Sequence, residues 1–298
     1  MIRELLALIK LENQYVTVTI SEKGAEQTSL KNKQTGIEYL WQGEPAFWKG
    51  QAPVLFPFVG RLKDNQYQYE NKTYMMPQHG FARNRVFDVT SQSETAATLS
   101  LLSDEESKEV YPFDFRLNIT YQLEDESVKV SYQVENVSQE KPMYFSIGGH
   151  PGFNVPLTND TTFEDYYLSF SPKRSRTLIP LKGAYIDYEN RTLGQTNTDI
   201  ALRWKLFEED ALIYETKNKN VFSILSDKTT HGISFSFENF PYVGIWSPAN
   251  LQAPLVCIEP WYGIADTSDA SGKLEEKLGI QHLKAGETFD CDYTITIH

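Results

Sequence analysis

Cysteine is nearly absent from this sequence: only Cys257 and Cys291 occur in 298 residues. Two thiols cannot build the disulfide framework of a small secreted domain, and neither lies in a CxxC pair that would suggest thiolate-bound metal. Basic charge is also in deficit. Against 40 acidic residues stand 28 Lys and Arg, for a formal net charge of −12. Such a field repels polyanions, which argues against nucleic acid or an anionic membrane as a partner while leaving room for a small basic pocket. No apolar run approaches the roughly 20 residues that cross a bilayer as a helix. The apolar patch at residues 5–9 is too short for a signal-peptide core with its cleavage site and runs straight into charged, strand-like sequence, so the expected compartment is the cytoplasm. The phosphate-binding glycine patterns, the GxSxG elbow and spacings such as HExxH are missing too. Neither a nucleotide, an organic cofactor nor a metal is therefore expected.

What is present is a globular composition, 40% hydrophobic and 23% charged, with ample material for a core. Strand signals dominate. Residues 15–20 alternate apolar and polar, as do 113–123 and 128–134, where every second side chain is Phe, Leu, Ile, Tyr or Val. That period is the mark of strands with one buried face, and the acidic break between the last two predicts an antiparallel hairpin. Residues 66–69 and 73–76 predict a second hairpin. A helical turn is expected after Asp104, which can cap it, and a short helix between Gly272 and Gly279. With no repeat, no Gly/Ser linker and no break in composition, one domain spanning 1–298 is expected: an all-β antiparallel sandwich with few short helices.

Three stretches carry chemistry. An apolar run ends at Gly148-Gly149, presents His150 and leaves through Pro151-Gly152, placing the imidazole where a strand gives way to a loop. Glu259 ends the apolar run 255–258, and Pro260 predicts that the strand stops just beyond it. A carboxylate there needs a partner or a raised pKa, so it is either one half of an ion pair with an arginine or a general base. Trp261 and Tyr262 beside it offer flat faces suited to the C–H face of a sugar. His79, followed by Gly80, lies near Arg61, Arg83 and Arg85, which either solvate loops or converge on a pocket. His231, His282 and His298 receive no role. Imidazole, carboxylate, guanidinium and aromatic faces together suit proton transfer on a neutral polyhydroxylated ligand.

In this order, Gly60-Arg61 with Asn65, His79-Gly80, His150 with Phe153-Asn154, and Ile258-Glu259-Pro260 resemble the aldose 1-epimerase (galactose mutarotase) family, closest to its bacterial lactose- and galactose-operon branch. The resemblance implies the large antiparallel β-sandwich called the supersandwich, no cofactor, and interconversion of the α and β anomers of an aldohexose. It implies His150 as general acid and Glu259 as general base, with Arg61 and His79 holding the sugar. The family's strand-borne aspartate falls nearest Asp210, and Trp261 joins the substrate-binding set. The run His79-Gly-Phe-Ala-Arg83 is similar to the family's hexose-6-phosphate branch, so that substrate stays open. Two other readings compete: a sugar-binding sandwich without catalysis, and a glycoside hydrolase, which needs a second carboxylate such as Asp210 or Asp266. The expected partner is a small sugar, and the expected assembly a monomer or homodimer.

Overall fold

The computed structural model describes residues 8–298, so residues 5–7 of the N-terminal apolar patch lie outside it. Two long antiparallel sheets make the body. The nine-stranded one contains the long hairpin Phe115–Glu124 and Ser127–Asn136, joined by a tight turn with Asp125 at φ 50°. Burial alternates residue by residue along both strands, as the sequence period requires. Thr288–Ile297 pairs with the hairpin's second arm and Ile233–Glu238 continues the sheet outward. A three-stranded sheet, Leu8–Glu12, Val16–Ser21 and Glu26–Asn32, flanks them. Among the described residues no helix is long and apolar enough to cross a membrane.

The eight-stranded sheet places the chemistry. Its central strand, Leu255–Tyr262, is flanked on one side by Tyr242–Trp246 and on the other by two short strands, Ile147–Gly149 and Gly152–Asn154. One face of the central strand packs Val256 and Ile258 into the core shared with the other sheet. Cross-sheet rings such as Phe153 against Phe235 and Tyr262 against Phe289 fill that layer. The opposite face carries Leu255, Cys257, Glu259 and Trp261. Both faces are covered, which explains why the strand reads as a continuous apolar run rather than an alternation.

Two expectations need correction. The central strand does not stop after Glu259 but continues through Pro260 to Tyr262. Pairs with its neighbour end at Gly148–Trp261 and resume at Gly152–Cys257, so Pro260 sits beside a gap in the ladder where its missing N–H is not needed. The helix expected between Gly272 and Gly279 is only a 3₁₀ turn, Leu274–Glu276. Both glycines take positive φ, leaving too few residues to form an α-helix. The turn after Asp104 is as expected: Asp104 caps Glu105–Val110 through the Ser107 amide.

Candidate active site

The two short strands keep one register against the central strand. Gly148 faces Trp261 and Gly152 faces Cys257. The residue between them that meets Glu259 is His150, and residues directly opposite on antiparallel strands project to the same side. His150 Nε2 accordingly lies 3.2 Å from Glu259 Oε2, with both residues buried. The backbone N–H of His150 donates to the Pro53 carbonyl, 3.1 Å away, which fixes the turn that presents the ring. Glycine at 148 and 244 gives Trp261 its place. A Cβ on Gly148 would come within 2.8 Å of the indole, and one on Gly244 within 2.6 Å. The glycine pair seen in the sequence thus admits a neighbouring side chain, and Gly244 completes the slot.

Around the pair lies a cavity of about 400 Å³, a size suited to a small ligand. Arg61, His79, Asp210 and Trp261 all line it with His150 and Glu259, so these six candidates from the sequence are brought to one place. A wider depression of about 720 Å³ shares Asp210 and Trp246 with it but contains no histidine to pair with its carboxylates.

His79 takes φ +67°, unusual for a side chain other than glycine. Its Nδ1 accepts the Gly60 N–H at 3.1 Å while its own N–H donates to the Gly60 carbonyl at 2.9 Å. This pair of hydrogen bonds ties the two loops, and Gln78 Nε2 stands 3.3 Å from the ring's Nε2. One Arg61 nitrogen donates to Gln78 Oε1 and one Arg83 nitrogen to the Gln78 carbonyl. The Arg61 Nε is buried without a partner.

Electrostatics follow from dryness. Trp48 stacks on the His150 ring at 4.9 Å, and Trp246 and His79 meet it edge-on. Burial in this aromatic box pushes the His150 pKa down to about 3, with the Arg83 charge acting the same way. Burial, followed by the charge of Asp210, pushes Glu259 well above the usual carboxylate range, and Trp261 weakly opposes this. His79 is held well below its ordinary value by burial and by His150. The pair therefore favours neutral imidazole beside neutral carboxyl at rest. This holds one proton, as an imidazolium–carboxylate pair would, so the two forms differ only in where that proton sits.

Comparison with known proteins matches the aldose 1-epimerase family model over residues 7–292. The chain belongs to the aldose 1-epimerase family. Two protein LacX forms of Lactococcus lactis subsp. lactis, chromosomal and plasmid, are each 33% identical over 298 residues, covering 97% of this chain and 99% of theirs. A galactose mutarotase related enzyme from Lactobacillus acidophilus is similar in structure, with TM-score 0.96 and 43% identity over 98% of this chain and 97% of that one. A galactose mutarotase-like protein from Lactobacillus casei gives TM-score 0.89 and 33% identity over 98% and 100% of the two chains. The sheets described above are this aldose 1-epimerase-family sandwich.

Several lining residues escaped the sequence reading. Trp48 and Trp246 enclose His150, and Gln78 receives both arginines. Of these, only Gln78 adjoins a stronger candidate, His79, in the sequence. Cys257 lacks a CxxC partner, so no sequence motif marks it, yet its place two residues before Glu259 puts it on the same strand face. Other residues move away from the site. Arg85 is engaged by Asp104 and Glu106 and does not join the cavity. Tyr262 points to the opposite face, against Phe240 and Phe289. Asp266 is buried in an ion pair with Lys277 at 2.7 Å and accepts the Lys63 amide, so it serves the Arg61 loop instead of offering a second free carboxylate.

Proposed function

We propose that this protein is a mutarotase that interconverts the α and β anomers of a free aldohexose by acid–base ring opening. The observation carrying this is the buried contact between His150 and Glu259 in the lining of a sugar-sized cavity. The hydroxyl on C1 and the ring oxygen share one carbon, so an acid and a base converging on one point can reach both. Glu259 takes the C1 hydroxyl proton while His150 delivers a proton to the ring oxygen. The ring opens to the aldehyde, C1 turns about its bond to C2, and closure reverses both transfers. Sugar hydroxyls entering the dry site stabilise the charged form of the pair, poised to react. Groups of this type contribute about 10²–10⁴-fold each. Arg61, His79 and Asp210 hold hydroxyls, and Trp261 supports the apolar face of the ring. The same proposal sets the protein in the cytoplasm as a monomer or homodimer.

NMR exchange between anomer signals, with polarimetry of freshly dissolved glucose and galactose, tests the reading. Rates equal to the buffer-catalysed rate for every aldohexose, with full binding retained, would favour the non-catalytic sugar-binding alternative.

A second reading is a 6-phosphorylated hexose as substrate. Arg61 and Arg83 reach the cavity, and neither forms an ion pair among the described residues, although the chain carries net charge −12. Guanidinium forks suit phosphate. This reading expects higher kcat/KM for the phosphorylated sugar than for its parent, and loss of that preference in Arg83→Ala. Equal kcat/KM for the two sugars counts against it.

A further inference from the structure

The face of the central strand that carries Glu259 also carries Cys257, two residues earlier, and His150 stands opposite from the neighbouring chain. Donor atoms of the three residues all lie within 4.8 Å of one another, and all three residues are buried. Gly152, directly opposite Cys257, has no side chain to intrude. The acid–base reading uses His150 and Glu259 and leaves the thiol without a task.

We propose that His150, Cys257 and Glu259 form a binding site for a borderline-soft divalent cation such as Zn²⁺, and that its occupancy switches off the acid–base pair. The chemistry of the donor set carries this. Imidazole, thiolate and carboxylate are the three ligand types that zinc takes, and three protein ligands with one open position suit its tetrahedral preference. Around such an ion, neighbouring donors sit about 3.5 Å apart, given ligand bonds of roughly 2.0–2.3 Å. His150 Nε2 and Glu259 Oε2 are already 3.2 Å apart, so it is the thiol side that has to close around the ion. Positions i and i+2 of one strand plus the opposite residue of its neighbour give three donors on one rigid face, which costs little reorganisation. Two of the three ligands, His150 and Glu259, line the cavity.

Binding requires the thiolate and the carboxylate, so the ion displaces the thiol proton and the proton shared by the pair. With both its groups ligated, the pair can neither accept nor donate a proton to a sugar. Cys291 lies on the other sheet and takes no part.

Two measurements on the full-length protein test the site, and only the first rests on the proposed mutarotase activity. In the first, Zn²⁺ is titrated into the anomerisation assay and each variant is compared with its own metal-free rate. Micromolar Zn²⁺ should inhibit the wild type, and EDTA should restore the rate. Cys257→Ala should raise the half-inhibiting concentration by about ten-fold or more, as loss of a ligand does, while Cys291→Ala leaves it unchanged. In the second, Co²⁺ replaces Zn²⁺ as an optical probe. A thiolate-to-cobalt charge-transfer band should appear in the wild type and in Cys291→Ala, vanish on adding Zn²⁺, and be missing from Cys257→Ala and weakened in Glu259→Gln. Inhibition that is equal in Cys257→Ala overturns the proposal. So does a wild-type protein without the cobalt band, whatever the protein's activity proves to be.

Discussion

Glu259→Gln separates a working acid–base pair from a structural contact, because the two predict opposite changes in stability and rate. The substitution keeps the volume of the side chain and its facing of His150 Nε2 at 3.2 Å, but it removes the group able to release and retake a proton. At rest, burial favours the neutral form of both partners. An amide N–H can still donate to neutral Nε2, so one neutral hydrogen bond replaces another, and the cost to folding should stay within about 1 kcal/mol. Were the pair instead a buried ion pair holding the sheet together, the change would strand an imidazolium and cost about 3–5 kcal/mol. The expected loss in kcat is about 10²–10⁴-fold, equivalent to roughly 2.7–5.5 kcal/mol of barrier. His150→Asn should lose a similar factor, and the double variant should be little worse than either single one, because groups acting as a unit are not additive. Thermal melts beside NMR anomerisation rates read both quantities. A well-folded Glu259→Gln protein with near-native kcat would refute the base assignment, and a melt lowered in proportion to lost activity would refute the neutral pair.

Four further outcomes are expected. Because burial lowers His150 to about 3 and raises Glu259, the pair keeps one proton over a wide range, so kcat/KM should form a broad plateau through neutral pH; a narrow bell centred on ordinary His and Glu values in a rate profile would contradict this. The same shifts bear on stability with opposite signs: depressed His150 weakens folding as pH falls below 6.5, and raised Glu259 weakens it as pH rises above 4.5, so this pair's contribution should be flat between those values and decline on both sides in pH-dependent melts. Gly244→Ala would bring a Cβ within 2.6 Å of the Trp261 ring, which should cost about 1–3 kcal/mol of stability and raise KM as the indole shifts; an unchanged melt and KM would show that the slot is slack. Asp266→Asn leaves the buried Lys277 ammonium without its 2.7 Å partner, so chemical denaturation should report a loss of about 3–5 kcal/mol, and a loss under 1 kcal/mol would mean that the pair contributes little.

Much of the fold could be read from the chain because strand periodicity is local. The alternation along residues 113–134 predicted the long hairpin of the nine-stranded sheet, and each apolar position is buried there. The site residues were legible for a related reason. Glycines before His150, and a glutamate closing an apolar run, are local breaches of pattern that folding tolerates where function requires them. Pro260 misled for the same local reason: its effect depends on whether the adjacent chain needs a ladder bond, and the gap beside it lies more than 100 positions away in sequence.

Sequence by itself therefore determined which segments become strands and which side chains are candidates to carry chemistry. Only the tertiary structure decided what those side chains face. The shared register of two short strands against the central one sets His150 opposite Glu259 and aligns Cys257 with them. Trp48 and Trp246, from distant loops and strands, dry the imidazole. The choice of Arg83 over Arg85 for the cavity was likewise settled by Asp104 and Glu106, which hold Arg85 elsewhere. Register, desolvation and charge pairing act between residues far apart in the chain, so they take definite values only once the sheets have closed on one another.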